Sequence, residues 1–390
     1  MEAKHPATRY AFDELRALLM ERVERGLVKQ VVAPYNLDLE LYCYTQRAVI
    51  DREWDEVTRI ARGLVLDTAR KQIAALPFPK FFNYGEREDD AGLVGEAIES
   101  VTEKIDGSLV IAFYDTRYQT WRTATKGSFT SPQAERGLLE MKRAAYMHEY
   151  AKNTTYLFEV VYPEDRKVVR YDRSGLTLLG AYSVDPQSPV YGLELSPGSL
   201  SYAANVLGLD SPKYHAADSL GRVAAIAATL PAQREGFVVR FCNGARLKFK
   251  GAEYLRIHRL ISNVTPLFVW DALRSRDNLK AIRGDLPEEF WSDFDQIHTL
   301  LSDAWLALRL RVENECERQA HKSDKELGLT LSEVPSDLRP FVFALRKGGP
   351  DWHQHPKTWA AMWSELRPDG NVLPGFVPSA SLAGIVAGDP

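Results

Sequence analysis

Glu103-Lys104-Ile105-Asp106-Gly107-Ser108 runs directly into the apolar stretch Leu109 to Tyr114. A lysine, a carboxylate two residues on and a glycine-serine turn at the mouth of a buried strand suit a nucleophilic amine beside bound phosphates, so Lys104 is the candidate nucleophile. An amine attacks phosphorus only when neutral, and an unperturbed lysine has a pKa of about 10.4. The site is therefore expected to favour the free base, through neighbouring cations and partial desolvation. Alone, Lys-x-Asp-Gly is also a common surface-turn composition, and its meaning depends on what the rest of the chain brings.

Further segments supply candidates. Ile60 to Leu66 places Arg62-Gly63 at the opening of an apolar strand, which suits a bulge or a basic side chain aimed into a cleft. Pro77 to Asn83 sets Lys80 among aromatics and prolines, where the bland reading is a core-covering loop with the ammonium snorkelling to water. Lys126-Gly127-Ser128 presents another lysine at the end of a hairpin. Glu159 stands inside the apolar run Thr155 to Val161, where a carboxylate is costly unless paired or liganding.

Arg234 to Cys242 and Ala245 to Lys250 flank Asn243-Gly244, the strongest short hairpin signal in the chain. A two-residue turn there sets Cys242 opposite Ala245, Val239 opposite Lys248 and Phe237 opposite Lys250. Lys248 and Lys250 then share a face with Glu235, so two ammonium groups and a carboxylate converge. The alternative is a half-exposed sheet with lysines on its wet side.

The elements that must position these groups follow from periodicity. Apolar spacing predicts a helix from Ala11 to Val28, strands within Leu37 to Val49, a hairpin of Leu109 to Asp115 and Tyr118 to Thr125, and a helix from Pro132 to Tyr150 capped by Ser131. Strands are expected at Val168 to Tyr171 and Leu176 to Ser183, a loop from Asp185 to Ser201, and a helix from Ala217 to Leu230. Beyond about Leu260 the pattern turns helical, over Leu267 to Leu279, Glu288 to Gln319 with Pro287 at its start, Leu338 to Leu345 and Lys357 to Leu366.

With 390 residues and 45% hydrophobic content the chain can fill two or more cores. Its net charge of -4 argues against a broadly basic coat for nucleic acid yet permits a local basic channel. Three widely spaced cysteines argue against a disulfide framework or zinc ribbon and fit a reducing cytoplasm. No apolar run reaches the length of a membrane span, and the N-terminus lacks a signal peptide's apolar segment, so no membrane partner is expected.

In this order, the segments resemble the covalent nucleotidyltransferase superfamily of ATP-dependent ligases and capping enzymes. Within it they are most similar to the RNA ligase 1 family, typified by the T-even bacteriophage enzyme. Lys104-Ile-Asp-Gly-Ser looks like nucleotidyl motif I, Leu157-Phe-Glu-Val-Val like motif III, Glu235-Gly-Phe-Val like motif IV and Leu247-Lys-Phe-Lys like motif V. Ala61-Arg-Gly, Lys80-Phe-Phe-Asn, Lys126-Gly-Ser, the Pro163, Arg166 and Tyr171 stretch, and Tyr254 with His258 add features of RNA ligase 1. Capping enzymes and DNA ligases usually carry arginine where this chain has Leu109, a departure that favours RNA ligase 1.

The resemblance covers roughly residues 1–260 and implies an α+β protein. An antiparallel-sheet nucleotidyltransferase (adenylyltransferase) domain over 1–260 would precede an all-α C-terminal domain over 261–390, tied to RNA or tRNA specificity. Lys104 would take AMP from ATP, Glu159 would hold the ribose, Glu235 would sit near the metal, and Lys248 and Lys250 would contact phosphates. Tyr44, Arg62 and Lys80 would position the leaving pyrophosphate. Lys126 and Mg2+, or Mn2+ in its place, would add charge neutralisation. The family's pattern points to Val238 against the adenine, whereas regular alternation puts Val238 on the face opposite Glu235. Asp277 lies where the C-terminal domain can bind a further divalent ion, against its reading as a solvated helix-end carboxylate. His353 and His355, without further ligands, read as surface residues. The expected protein is a monomeric ATP-dependent RNA ligase acting on RNA, with tRNA as the substrate implied. The alternatives are a DNA ligase, a capping nucleotidyltransferase, or a catalytically silent nucleic-acid end-binding protein.

Overall fold

In the first two thirds of the chain, short runs rich in β-branched and aromatic residues form three antiparallel-rich sheets. The computed structural model describes residues 4–86, 93, 95–165, 168–171, 173–262, 264–286, 290–370 and 372–379. It divides into two compact units, Met1–Arg256 and Ile257–Val386.

In the first unit, β1 (Val28–Ala33), β2 (Asn36–Tyr44), β3 (Arg62–Asp67) and β4 (Gln72–Ala75) make one sheet in sequential order. β5 (Phe82–Asn83) and β6 (Ile98–Lys104) follow. β7 (Ser108–Asp115), β8 (Thr120–Ala124), β9 (Thr154–Val161) and β10 (Gly175–Ser183) make the second sheet, in the order β10-β9-β7-β8. β11 (Gly236–Phe241) and β12 (Arg246–Lys250) join β5 and β6 in a third sheet, ordered β5-β12-β11-β6.

Alternation along β7 explains how the layers stack. Ile111 and Phe113 enter one core with Leu41, Val65 and Leu157, joining the first and second sheets. Val110 and Ala112 enter another, with Met141 of the helix Pro132–Ala144 and with Leu200 and Ala204 of the helix Pro197–Val206. The third sheet buries Phe237, Val239, Leu247 and Phe249 against Leu220 and Val223 of the helix Leu220–Ala228. Lys104 is the last residue of a strand in the third sheet and Ser108 the first residue of a strand in the second. The turn Ile105–Gly107 therefore crosses between sheets, and the candidate site sits at that crossing.

Several boundaries differ from the sequence reading. The first helix stops at Glu24, and Val28 already opens β1. Strand content in Leu37 to Val49 ends at Tyr44, because the Thr45 hydroxyl accepts from Ala48 N and caps a short helix, Gln46–Ile50. The helix from Pro132 ends at Ala144 rather than Tyr150. Ser196 caps the helix Pro197–Val206 inside what composition presents as loop. Residues 168–171 form no strand, because the backbone N–H groups of Val168 and Val169 are spent on a side chain.

The second unit is helical. Its helices include Pro266–Ser275 and Leu279–Asp285, while Trp291–Arg318, Asp324–Leu329, Arg339–Gly348 and Pro356–Glu365 share a core with Leu308, Val312, Leu327, Phe341, Val342, Trp352 and Met362. The expected Pro287 and Glu288 start of the long helix lies outside the described residues. His353 is not a surface residue: it is buried edge-on against Trp305 and Trp352, and burial lowers its pKa.

Candidate active site

The Asn243-Gly244 hairpin is real, but its loop has three residues. Gly244 N donates to Phe241 O at 2.9 Å and Phe241 N to Ala245 O at 3.0 Å, while Ala245 N donates to Asn243 Oδ1 at 2.9 Å. Gly244, at φ +83°, closes the loop Cys242 to Gly244 with a left-handed residue. Every pairing slips by one from the two-residue register, so Val238 stands opposite Lys248 and Gly236 opposite Lys250. Val238, Lys248 and Lys250 then share a face, and Phe237, Val239, Leu247 and Phe249 take the core side.

Strict alternation in this register would bury Glu235 on the core side. Gly236 prevents that. Its φ of +150° turns the chain, and a Cβ there would stand 1.8 Å from Phe249 O, so only glycine fits. Glu235 is thereby returned to the lysine face. Lys104 Nζ donates to its Oε2 at 2.6 Å, and Lys250 Nζ lies 3.2 Å from its Oε1. The convergence expected from sequence is present, by a different backbone route.

Glu159 projects from β9 beside the inter-sheet turn, where its Oε1 accepts from Gly107 N at 3.1 Å. Burial pushes its carboxyl up to about 7, Lys104 pulling it down and Glu235 pushing it further up. Burial pulls the Lys248 ammonium down to about 7, helped by the positive charges of Lys80, Lys104, Lys250 and Arg62. Lys248 thus feels the charge of residues from three other segments of the chain as well as of its own strand.

Lys104 departs from expectation. Burial favours its neutral form, but the carboxylates of Glu235 and Glu159 outweigh burial and raise its pKa above the ordinary lysine value. Beside these carboxylates the amine is held as an ammonium.

Asp106 anchors the turn. Its Oδ2 accepts from Val168 N at 2.9 Å and Val169 N at 2.8 Å, and its Oδ1 accepts from Tyr254 Oη at 2.8 Å. Asp106 N in turn donates to Tyr171 Oη at 3.1 Å. Ser108 Oγ donates to the buried Asp165 at 2.7 Å. The Lys104 turn is therefore pinned by residues the sequence placed only in a downstream stretch. Arg166 of that stretch lies outside the described residues.

Lys80 does not simply snorkel. Its ammonium stands 5.5 Å from the Tyr44 ring centroid, 5.4 Å from Trp54 and 5.3 Å from Phe82. Trp54 escaped the sequence reading, and its only signal is its place in the charged stretch before Arg62. Tyr42 points the other way, its hydroxyl donating to Glu40 at 2.6 Å. Arg62 stacks over Phe81 at 5.7 Å, and Lys126 lies beside the same strand, its Cα 3.1 Å from where a Cβ on Gly63 would be.

Among the described residues no group of three His, Cys, Asp or Glu side chains is arranged to hold a metal. Glu235 still fits a hard ion that keeps its waters and takes its other ligands from phosphate, a set needing only one or two carboxylates. Asp277 is exposed in the turn between two helices of the second unit.

Residues 60–254 match the RNA ligase family, which covers every candidate except Tyr44 and Asp277. The chain belongs to that family. A relative, the RNA ligase of Rhodothermus phage RM378, is 23% identical over 335 residues, covering 64% of this chain and 75% of that protein. Among solved structures, an archaeal ATP-dependent RNA ligase is similar with a TM-score of 0.48 at 15% identity, covering 74% of this chain and 79% of that one. A putative ATP-dependent DNA ligase from Aquifex aeolicus gives 0.44 at 15% identity, covering 73% and 70%. The family match favours RNA ligase over the DNA ligase and capping alternatives.

Proposed function

We propose that this RNA ligase is ATP-dependent and works through adenylylated Lys104. The observation that carries the reading is the meeting of Lys104, Glu235, Lys250, Glu159 and Lys248 where the second and third sheets join. Lys104, once it has lost its ammonium proton, forms an N–P bond to the α-phosphate of ATP as the bond to pyrophosphate breaks. Lys248 and Lys250 face the phosphates, and Arg62, Lys80 and Tyr44 orient the leaving pyrophosphate. Lys126 adds positive charge beside Arg62. A divalent ion at Glu235, Mg2+ or Mn2+, would neutralise phosphate charge. Glu159 holds the ribose.

The adenylate then passes to an RNA 5′-phosphate as the N–P bond breaks, and a 3′-hydroxyl finally displaces AMP and seals the strand. Each step is an in-line displacement, for which alignment and charge neutralisation matter most. The first unit corresponds to the adenylyltransferase domain in this reading. The helical unit contributes RNA contacts, with a broken tRNA as the substrate. Because every proposed catalytic group comes from one chain, a monomer suffices, and three free cysteines fit work in a reducing cytoplasm.

The test is incubation with α-labelled ATP and Mg2+, followed by sealing of a 5′-phosphorylated single-stranded RNA and of a tRNA cleaved in its anticodon loop. Wild type is expected to form protein-AMP and Lys104→Ala none. Labelling of Lys104→Ala at the wild-type level would overturn the proposal.

A further inference from the structure

A second set of cations lies at the end of the interface between the first two sheets. In the β1-β2-β3 register Lys29 stands opposite Cys43, and Cys43 opposite Arg62, so the three side chains sit side by side on one face. The Lys126 loop comes up against the same row. A Cβ on Gly127 would stand 3.1 Å from Lys29 Nζ, and one on Gly63 3.1 Å from Lys126 Cα.

The charges acting on the Cys43 thiol between them are those of Lys126, Lys29 and Arg62, all positive. Lys29 is exposed, and its ammonium makes no hydrogen bond or ion pair with any described residue. Arg62 buries its Nη1 without a hydrogen-bond acceptor. Lys29 and Arg62, on either side of Cys43 and each with a nitrogen that lacks an acceptor, repel one another, and a polyanion relieves that repulsion.

In-line geometry says which polyanion. The RNA phosphate that attacks in the second step must enter on the side from which pyrophosphate left, opposite the Lys104 nitrogen. Arg62 belongs both to the group acting on Lys248 and to this row, so the row continues outward from that side. Lys29 lies two strand spacings beyond Arg62, roughly 10 Å across the sheet.

We infer that Lys29 is an RNA-contacting residue, its ammonium holding a backbone phosphate of the 5′-phosphorylated strand next to the one that meets Arg62. This rests on the ligase reading above and assigns part of its RNA path.

The experiment measures binding of a short 5′-phosphorylated single-stranded RNA as a function of salt, without ATP, for wild type, Lys29→Ala and Lys29→Arg. Lys29→Ala is expected to bind about tenfold more weakly. It should also lower the slope of log K against log salt by about 0.7, the loss of one phosphate contact. Lys29→Arg should restore both. In turnover, Lys29→Ala should slow AMP transfer to RNA far more than protein-AMP formation, raising the KM for RNA. An unchanged slope in Lys29→Ala, or an equal loss in Lys29→Arg, overturns the assignment. Absence of protein-AMP in wild type instead overturns the ligase mechanism, while the salt slope still reports on Lys29.

Discussion

Lys104 Nζ donates to Glu235 Oε2 at 2.6 Å while Lys250 occupies the other oxygen of the same buried carboxylate. One carboxylate therefore compensates two ammonium groups, and the three must be understood as a unit. Removing the anion takes the paired carboxylate from Lys250 and the nearest of those acting on Lys104, whereas removing one cation leaves the anion paired.

Glu235→Ala is accordingly expected to destabilise the protein more than either Lys104→Ala or Lys250→Ala. Both lysine side chains retain about a fifth of their exposure, so solvent screening brings the loss to roughly 2–3 kcal/mol, below the full cost of breaking a buried pair. Urea unfolding midpoints of the three variants check the ranking. An Glu235→Ala protein as stable as Lys104→Ala would mean the pair is not the compensating unit.

Asp106 gives a second prediction because its bonds are structural. Asp106→Ala removes a buried acceptor of three hydrogen bonds and should cost about 3 kcal/mol or more, whereas Tyr254→Phe, losing one, should cost about 1–2 kcal/mol. Protein-AMP formation by Asp106→Ala should fall because the Lys104 turn loses its anchor. Tyr254→Phe, assayed well below its melting temperature, should keep most of the rate.

Much of the site was legible because its groups break local rules. Glu159 in an apolar strand and Lys104 before one are visible as costs that something must offset, and both meet the partners such costs require. What sequence did not show was long-range or backbone-determined. The contacts of Asp106 lie 62, 63 and 148 positions away, so its anchoring role has no local signature. The hairpin register turned on one residue of loop length: alternation alone pairs Phe237 with Phe249 and Val239 with Leu247, as the structure does, whereas a two-residue Asn243-Gly244 turn sets those apolar residues opposite lysines. The ionisation of Lys104 was misjudged for a related reason: cations are easily counted along a chain, whereas the carboxylate that overrides them reaches it through the unusual backbone of Gly236.

The ionisations of Lys248 and Glu159 predict opposite effects of pH on stability. Lys248 is held at about 7 against an ordinary 10.5, so between those values the folded protein binds fewer protons than the unfolded chain and stability rises with pH. Below about 7 the charge is kept at a cost, and Lys248→Met should be more stable than wild type at pH 6, with the difference gone above pH 10.5. Glu159, held at about 7 against 4.5, binds more protons when folded, and its contribution is lost as pH rises through that window. Glu159→Gln should therefore gain on wild type at pH 8 and lose its advantage below 4.5. Thermal unfolding across this range checks both, and a Lys248→Met advantage growing with pH would contradict the assignment.

Gly236 joins backbone geometry to chemistry most directly. Any side chain there meets Phe249 O at 1.8 Å and also strains a φ of +150°, so β11 and β12 must part or the chain must turn differently at Glu235. Either response moves the carboxylate away from Lys104. Gly236→Ala is expected to cost roughly 2–4 kcal/mol in stability, a large value for one methyl group, and to lower protein-AMP formation about 10²-fold or more. The informative comparison is with Gly244→Ala at the hairpin tip, which carries a φ of +83° and should cost stability while sparing most of the adenylylation rate. Equal losses of rate in the two variants would show that hairpin integrity alone, not the placement of Glu235 by Gly236, governs the reaction.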